Sequence, residues 1–287
     1  MDGLLLVDKP AGPTSHDVVA AARRALGERR VGHAGTLDPA ATGLLVVLAG
    51  RATRLARFVA LLPKQYRGTI RLGCETTTDD ATGEPLESDE RWHERSEADI
   101  ARALEQVAAR PLQVPPRVSA KKVSGERAYR RVRRGEQPDL APVEVRIYSL
   151  TAAAVDRAAG EVVIDVRCGT GTFVRAIARD VGRELGSRAH LKDLRRVAVG
   201  PWQVEEAVPL GALAPGAALP LRPLGEAVAH LPALEVGPLN AQAMVHGRRI
   251  EEPSRHEGPV AVYHAGALLA VAEWREGSYA PLVVLAP

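Results

Sequence analysis

"VGHAGTLDPAATG", residues Val31–Gly43, sets one carboxylate, Asp38, among glycines, threonines and a proline. Pro39 holds Asp38 away from helix and toward an extended conformation. Gly32, Gly35 and Gly43 let the chain turn tightly and let another backbone come close. The stretch admits four readings of Asp38: a turn or capping residue, a metal ligand, a phosphate-site residue, or a nucleophile. Turns and caps are the common use of Asp in such company. A P-loop would end in Gly-Lys-Ser/Thr, which is absent. A metal site wants several carboxylates or histidines together, and His33 alone is a poor partner. A lone carboxylate in a tight loop also suits covalent catalysis by Asp. Locally, all of these stay open.

Working outward, "GLLVVL" (43–48) and "GLLLVD" (3–8) read as short buried strands. Between them "KPAGPT" is a turn, followed by a helix with Ser15 as N-cap, Asp17 in its first turn and Gly27 as its stop. "ATRLARFVALL" reads as a short helix and "KQYRGTIRLG" as an alternating strand that carries Tyr66. Tyr66 reads there as a strand aromatic packing the core. Residues 73–95 are acidic and turn-rich, which predicts a surface loop. Ser96, with Asp99 three positions on, opens a helix over 96–109. The prolines of "LQVPPRVSAKKVSG" require an extended chain. "RAYRRVRRG" reads as a short basic helix or turn. Strands follow at 143–150 and 161–168, a helix over 173–185, and a strand in "LRRVAVG". Residues 210–234 are rich in Ala, Pro and Gly and read as a crossover. Beyond Leu234, a helical patch near 241–246 and strands at 259–264, 267–274 and 281–285 suggest a small β-barrel-like module. The overall class is α/β of the α+β kind.

The 287 residues can bury a substantial core. No apolar run is long enough for a membrane helix, and the N-terminus lacks the pattern of a secretory signal, so a cytoplasmic protein is expected. Cys74 and Cys168 lie in no Cys/His cluster and read as ordinary thiols. The net charge of +3 is unevenly placed: residues 79–99 hold nine acids against Arg91 and Arg95. Residues 121–134 hold Lys121, Lys122, Arg127, Arg130, Arg131, Arg133 and Arg134 against Glu126. Such a block fits an anionic partner as well as a solvated helix face. In "CGTGTFVRAIARDVG" (168–182) a strand ends in a glycine turn and a helix starts. Arg175 falls in the first turn, where the helix dipole disfavours a cation, so it reads either as a surface arginine or as the partner of an anion.

Six stretches then occur in a telling order: "LLVDKPAGPTSHDVV", "VGHAGTLDPAATGLLVVLAGRATR", "KQYRGTIRLGCETTTDDATG", "VPPRVSAKKVSGERAYRRVRRGE", "CGTGTFVRAIARDVG" and "AHLKDLRRVAVG". This series, spanning residues 3 to 200, resembles the bacterial TruB family of tRNA pseudouridine synthases, which isomerise the T-loop uridine at tRNA position 55 to pseudouridine. The resemblance implies a pseudouridine synthase fold with a mixed, mostly antiparallel sheet over 1–233, including an RNA-contacting insert at about 73–140. It further implies a PUA-like RNA-binding module over 234–287. It makes Asp38 the nucleophile, Tyr66 the aromatic that stacks on the flipped base, and Arg175 the partner of the aspartate. His33, Leu194 and Lys9, with Lys121, Lys122, Arg130 and Arg131 of the basic block, are expected to contact substrate. Phe173 departs from the tyrosine frequent there, and "RRVRRGE" is richer in arginine than relatives. The implied protein is a monomer that binds the T-arm of tRNA and needs no cofactor, metal or membrane. A non-catalytic tRNA-binding chaperone on the same scaffold is the alternative. Physically the parts agree, because a base buried in a stacked loop must be flipped out. A stacking aromatic must then receive it, and a buried carboxylate nucleophile is kept ionised by an adjacent arginine.

Overall fold

Two uninterrupted apolar runs lie at the centre of the molecule. The computed structural model describes residues 1–117 and 140–285 in full, with the backbone of 122–123 and 126–127. The main sheet comprises β1 (Gly3–Lys9), β2 (Val31–His33), β3 (Thr42–Ala49), β4 (Lys64–Leu72), β5 (Ile147–Asp156), β6 (Glu161–Cys168), β7 (Ala189–Val199) and β8 (Val208–Pro209), with the two-residue strand Trp202–Gln203 paired to β7. Their spatial order is β5-β6-β4-β7-β3-β1-β8, with β2 on β3. Only β1–β8 and β3–β7 pair in parallel among these strands, so the sheet is mixed and mostly antiparallel.

The apolar runs follow from double coverage. Leu4, Leu6, Leu44, Val46 and Leu48 face one core, with Phe58 and Trp202. Leu5, Val7, Leu45 and Val47 face another, where Val18, Val19 and Ala22 of helix α1 (Ser15–Leu26) pack. A strand buried on both faces has no polar side, so its sequence does not alternate. β6 is covered on one face only. Val162, Ile164, Val166 and Cys168 point into a third core, while Asp165 pairs outside with Arg67 at 2.8 Å. That third core is closed by α3 (Glu97–Ala108) and α4 (Val174–Glu184), and α2 (Ala56–Leu61) lies against the first.

Three expectations are corrected. The N-cap of α1 is Thr14, which forms a reciprocal capping box with Asp17. Ser15 is buried instead: its Oγ donates to the Leu37 carbonyl (3.0 Å) and accepts from the Leu37 N–H (2.9 Å). A buried backbone pair without partners is costlier than a cap that a neighbouring threonine can fill. The acidic segment 73–95 is not simply a surface loop. It forms a ribbon of Cys74–Thr76 with Pro85–Ser88, and it buries Thr76, Asp79 and Trp92. Its acids pair with the basic end of α4 and the turn after it: Glu75 with Arg183 at 2.6 Å, Glu87 with Arg188, and Asp79 with Arg179 at 2.9 Å. The strand expected over 143–150 is two pieces, Val143–Glu144 and the longer β5.

A second sheet follows the crossover: β9 (Ala233–Glu235), β10 (Pro259–His264), β11 (Ala267–Arg275) and β12 (Ser278–Val284), side by side in that order. With α5 (Pro238–Val245) it encloses Leu234, Met244, Val262 and Tyr279. Its other face, with Ala261, Val271 and Leu285, packs onto the first core of the main body. Among the described residues, no helix is long and apolar enough to cross a membrane.

Candidate active site

The loop between β2 and β3 carries Asp38 and is fixed from several sides. Ser15 holds it at Leu37, as above. Lys9 is fully buried at the end of β1. Its ammonium donates to the carbonyls of Pro10 (2.8 Å), Pro13 (2.9 Å) and Pro39 (3.2 Å). These use all three donors and tie the loop to the "KPAGPT" turn. Burial lowers its pKa, and the charge of Asp38 opposes that shift. From the other side Arg196 of β7, also buried, donates to Leu44 (2.6 Å), Gly35 (3.1 Å) and Thr36 (3.4 Å) carbonyls. Gly43 ends the loop at φ +101°, where a Cβ would stand 2.2 Å from the Arg196 carbonyl. Only glycine lets β3 and β7 close there.

Arg175, in the first turn of α4, reaches this loop. Its Nη2 lies 3.1 Å from Asp38 Oδ2, and its Nη1 lies 3.2 Å from Asp80 Oδ2 and 3.0 Å from the Thr78 carbonyl. The arginine side chain is 9% exposed and Asp80 14%, whereas Asp38 is 47% exposed. Asp38 is thus the member of the trio still open to a ligand. Asp80 is itself held by the Thr78 hydroxyl (2.7 Å) and the Thr82 N–H (2.9 Å). One turn further along α4, Arg179 meets Asp79, whose φ of +59° is a left-handed value that Asp tolerates better than most residues. The cations of α4 therefore oppose the acidic turn at i, i+4 spacing. This explains a cation in the first turn: nearby carboxylates outweigh the helix dipole.

Asp38 and Arg175 form part of the wall of a recess of about 150 Å³, lined also by Thr36, Tyr66, Thr172, Phe173 and Leu194. Asp38 is its one carboxylate among the described residues. A smaller hollow on the other side of the ion pair is lined by Asp80, Thr82 and Leu194. Tyr66 on β4 is half-buried and presents its ring to the recess. Burial raises its hydroxyl pKa, and Arg196, its partner across the β4–β7 pair, opposes that shift. Lys64, two residues earlier, is buried too, and its pKa is pushed down to about 8 by burial and by the Arg196 charge. It donates to the Thr170 hydroxyl at 2.8 Å and to the Ala60 carbonyl.

The structure thus brings Asp38, Tyr66, Arg175 and Leu194 together. His33 does not line the recess; it sits on β2 edge-on to His16, with ring centroids 5.6 Å apart. Burial lowers its pKa and leaves Nδ1 without a hydrogen-bond partner among the described residues. Lys121, Arg130 and Arg131 lie outside the described residues, as does the side chain of Lys122. Sequence reasoning passed over Asp80, Lys64 and Arg196. The "TTTDDATG" run did hold a signal for Asp80, since Thr beside Asp favours a self-bonded turn that aims a carboxylate. No group of three or more potential metal ligands occurs among the described residues.

Residues 23–174 match the family model described as TruB family pseudouridylate synthase, N-terminal domain. Two relatives named tRNA pseudouridine synthase B align along nearly the whole chain. That of Thermobifida fusca is 50% identical, over 99% of this chain and 99% of its own. That of Streptomyces griseus is 43% identical, over 99% and 97%. Among solved structures, a chain from a Cbf5-Nop10-Gar1 complex superposes with a TM-score of 0.75 at 22% identity, covering 99% of this chain and 85% of that one. A chain from an H/ACA RNP bound to a substrate RNA containing 2'-deoxyuridine gives 0.73 at 21%, with the same coverage. At such identity the likeness is one of fold.

Proposed function

The chain belongs to the TruB family of pseudouridylate synthases, and we propose that it converts the T-loop uridine at position 55 of tRNA into pseudouridine, with Asp38 as nucleophile. The observation that carries this reading is the pairing of Asp38 with Arg175 in a recess that also holds Tyr66. The target base, flipped from its stack, enters beside Tyr66 and above Leu194. The Asp38 carboxylate bonds to the nucleoside and the N1–C1′ bond breaks. The uracil turns, C5 bonds to C1′, and the bond to Asp38 breaks and returns its carboxylate. The C5 proton leaves and N1 gains one, so atoms balance without an oxidant or a donor. Tyr66 stacks on the base and is placed to assist the C5 proton. Arg175 pairs with the carboxylate and keeps it aimed.

His33 acts on the RNA outside the recess, near the displaced loop bases. Lys121, Lys122, Arg130 and Arg131 contact RNA phosphates, and residues 234–287 form a PUA-like module on the same RNA. The protein works as a monomer. The test is a minimal T-arm hairpin incubated with the pure protein, followed by mapping of pseudouridine. One modified site at the T-loop uridine is expected, lost in Asp38→Asn while RNA binding persists. Turnover by the Asn variant at the wild-type rate would sink the assignment, and binding without turnover by the wild type would favour the chaperone alternative.

A further inference from the structure

Tyr148 is the exposed aromatic at the start of β5, 42% open to solvent. Two guanidinium groups flank its ring: Arg146 at 5.2 Å and Arg167 at 5.1 Å from the centroid. Neighbouring cations on this outer face of the sheet are matched, Arg67 with Asp165 at 2.8 Å and Lys192 with Glu161 at 2.6 Å. Among the described residues, no carboxylate pairs with Arg146 or Arg167. Two cations gathered on one ring repel each other, and among the described residues no carboxylate neutralises them. Aromatic and arginine together make the two halves of a nucleotide site, a face for the base and charge for its phosphate.

Position adds the second argument. Arg167 immediately precedes the turn Cys168–Phe173, whose far end lines the Asp38 recess with Thr172 and Phe173. The Gly169 N–H donates to the Arg146 carbonyl at 2.7 Å, and a Cβ on Gly169 would stand 3.7 Å from the Tyr148 hydroxyl. The ring therefore abuts the turn that walls the recess. Five residues of extended chain span at most about 18 Å, so the patch and the recess lie within a few nucleotides of each other.

We propose that Arg146, Tyr148 and Arg167 form a second nucleotide-binding platform, which stacks an unpaired base of the substrate RNA and grips its phosphates while the target uridine occupies the recess. The proposal rests on the function given above. Its ligand is a loop or single-stranded RNA segment, because a paired base offers no free face.

The test measures binding of a labelled T-arm hairpin to the full-length protein across a salt series. Tyr148→Ala is expected to weaken binding about 5- to 150-fold, the range for loss of one base–aromatic stack. Tyr148→Phe, which keeps the stack, is expected to stay within about twofold. Arg146→Gln with Arg167→Gln is expected to flatten the slope of log K against log salt by about 1.4, two single-strand phosphate contacts' worth. Wild-type-like binding by Tyr148→Ala, or an unchanged slope in the double glutamine variant, overturns the platform. The arginine arm stands even if Tyr148→Ala misfolds, since both arginines are exposed and a melting curve reports their fold. If the wild-type protein does not bind the hairpin at all, the proposed function falls with it; if it binds and the variants do not differ, only the platform falls.

Discussion

Arg175→Lys keeps the charge beside Asp38 and removes the fork. In the structure one guanidinium spans Asp38 (3.1 Å), Asp80 (3.2 Å) and the Thr78 carbonyl (3.0 Å) from two different nitrogens. An ammonium is a point charge on a flexible stem and cannot bridge two carboxylates in that planar geometry. It can satisfy the enclosed Asp80 and Thr78 carbonyl or the open Asp38. Desolvation decides: Asp80 is the more enclosed, so the lysine goes there, and Asp38 falls back on water. One hydrogen bond between charged groups is lost from the nucleophile, worth roughly 1.5–3 kcal/mol. Placed in the barrier, that is a rate loss of about 10- to 150-fold. The fold should stay near wild type, since the buried partner remains paired. The assay is release of tritium from T-arm RNA labelled at uridine C5, because forming the C5–C1′ bond expels that hydrogen. Single-turnover rates are compared alongside thermal melts. A Lys variant within threefold of the wild-type rate would refute the claim that bridging by Arg175 positions Asp38. A variant that melts far below wild type would place the role of Arg175 in stability instead.

Other perturbations test the supports of the site. Lys9→Met leaves the carbonyls of Pro10, Pro13 and Pro39 without their shared donor; a destabilisation of about 2–4 kcal/mol is expected in chemical denaturation, and a loss below 0.5 kcal/mol would contradict the loop-tying role. Gly43→Ala places a Cβ 2.2 Å from the Arg196 carbonyl at a left-handed φ; β3 must shift from β7, and both melting temperature and turnover should fall, whereas wild-type values for both would exclude the close approach as a requirement. Lys64, with its pKa near 8 in the folded chain and an ordinary 10.5 when unfolded, binds fewer protons folded than unfolded between those values. Its contribution to stability therefore rises with pH from about 8 to 10.5, by up to about 3 kcal/mol. Lys64→Met should lack that rise, and parallel stability–pH curves for the two proteins over this window would show that Lys64 is not desolvated.

Much of the fold was legible because periodicity is a local property. The runs in β1 and β3, the strand β6 and the capped helix at Ser96 each stand where the sequence places them. Helix α1 was placed correctly and its cap was not, since Thr14 and Ser15 are both good caps and the choice rests on Leu37, twenty-two residues away. The candidate site was legible in part. Asp38, Tyr66 and Arg175 stood out through the order of six motifs, not through local chemistry, which left Asp38 a turn residue as readily as anything else.

What the sequence determined by itself was most of the main elements, the class of the fold and the family, because these depend on residue type at short range and on motif order. Which charges meet was decided only by the tertiary structure. An acidic run beside turn residues looks like a solvated loop until α4 is laid against it, and then Asp79 and Asp80 become partners of Arg179 and Arg175. That three carbonyls from two loops converge on Lys9, at a strand end, is likewise visible only in three dimensions. An ion's partner is set by through-space distance and by how much water the surrounding chain removes, and neither quantity is written in the spacing of residues along the chain.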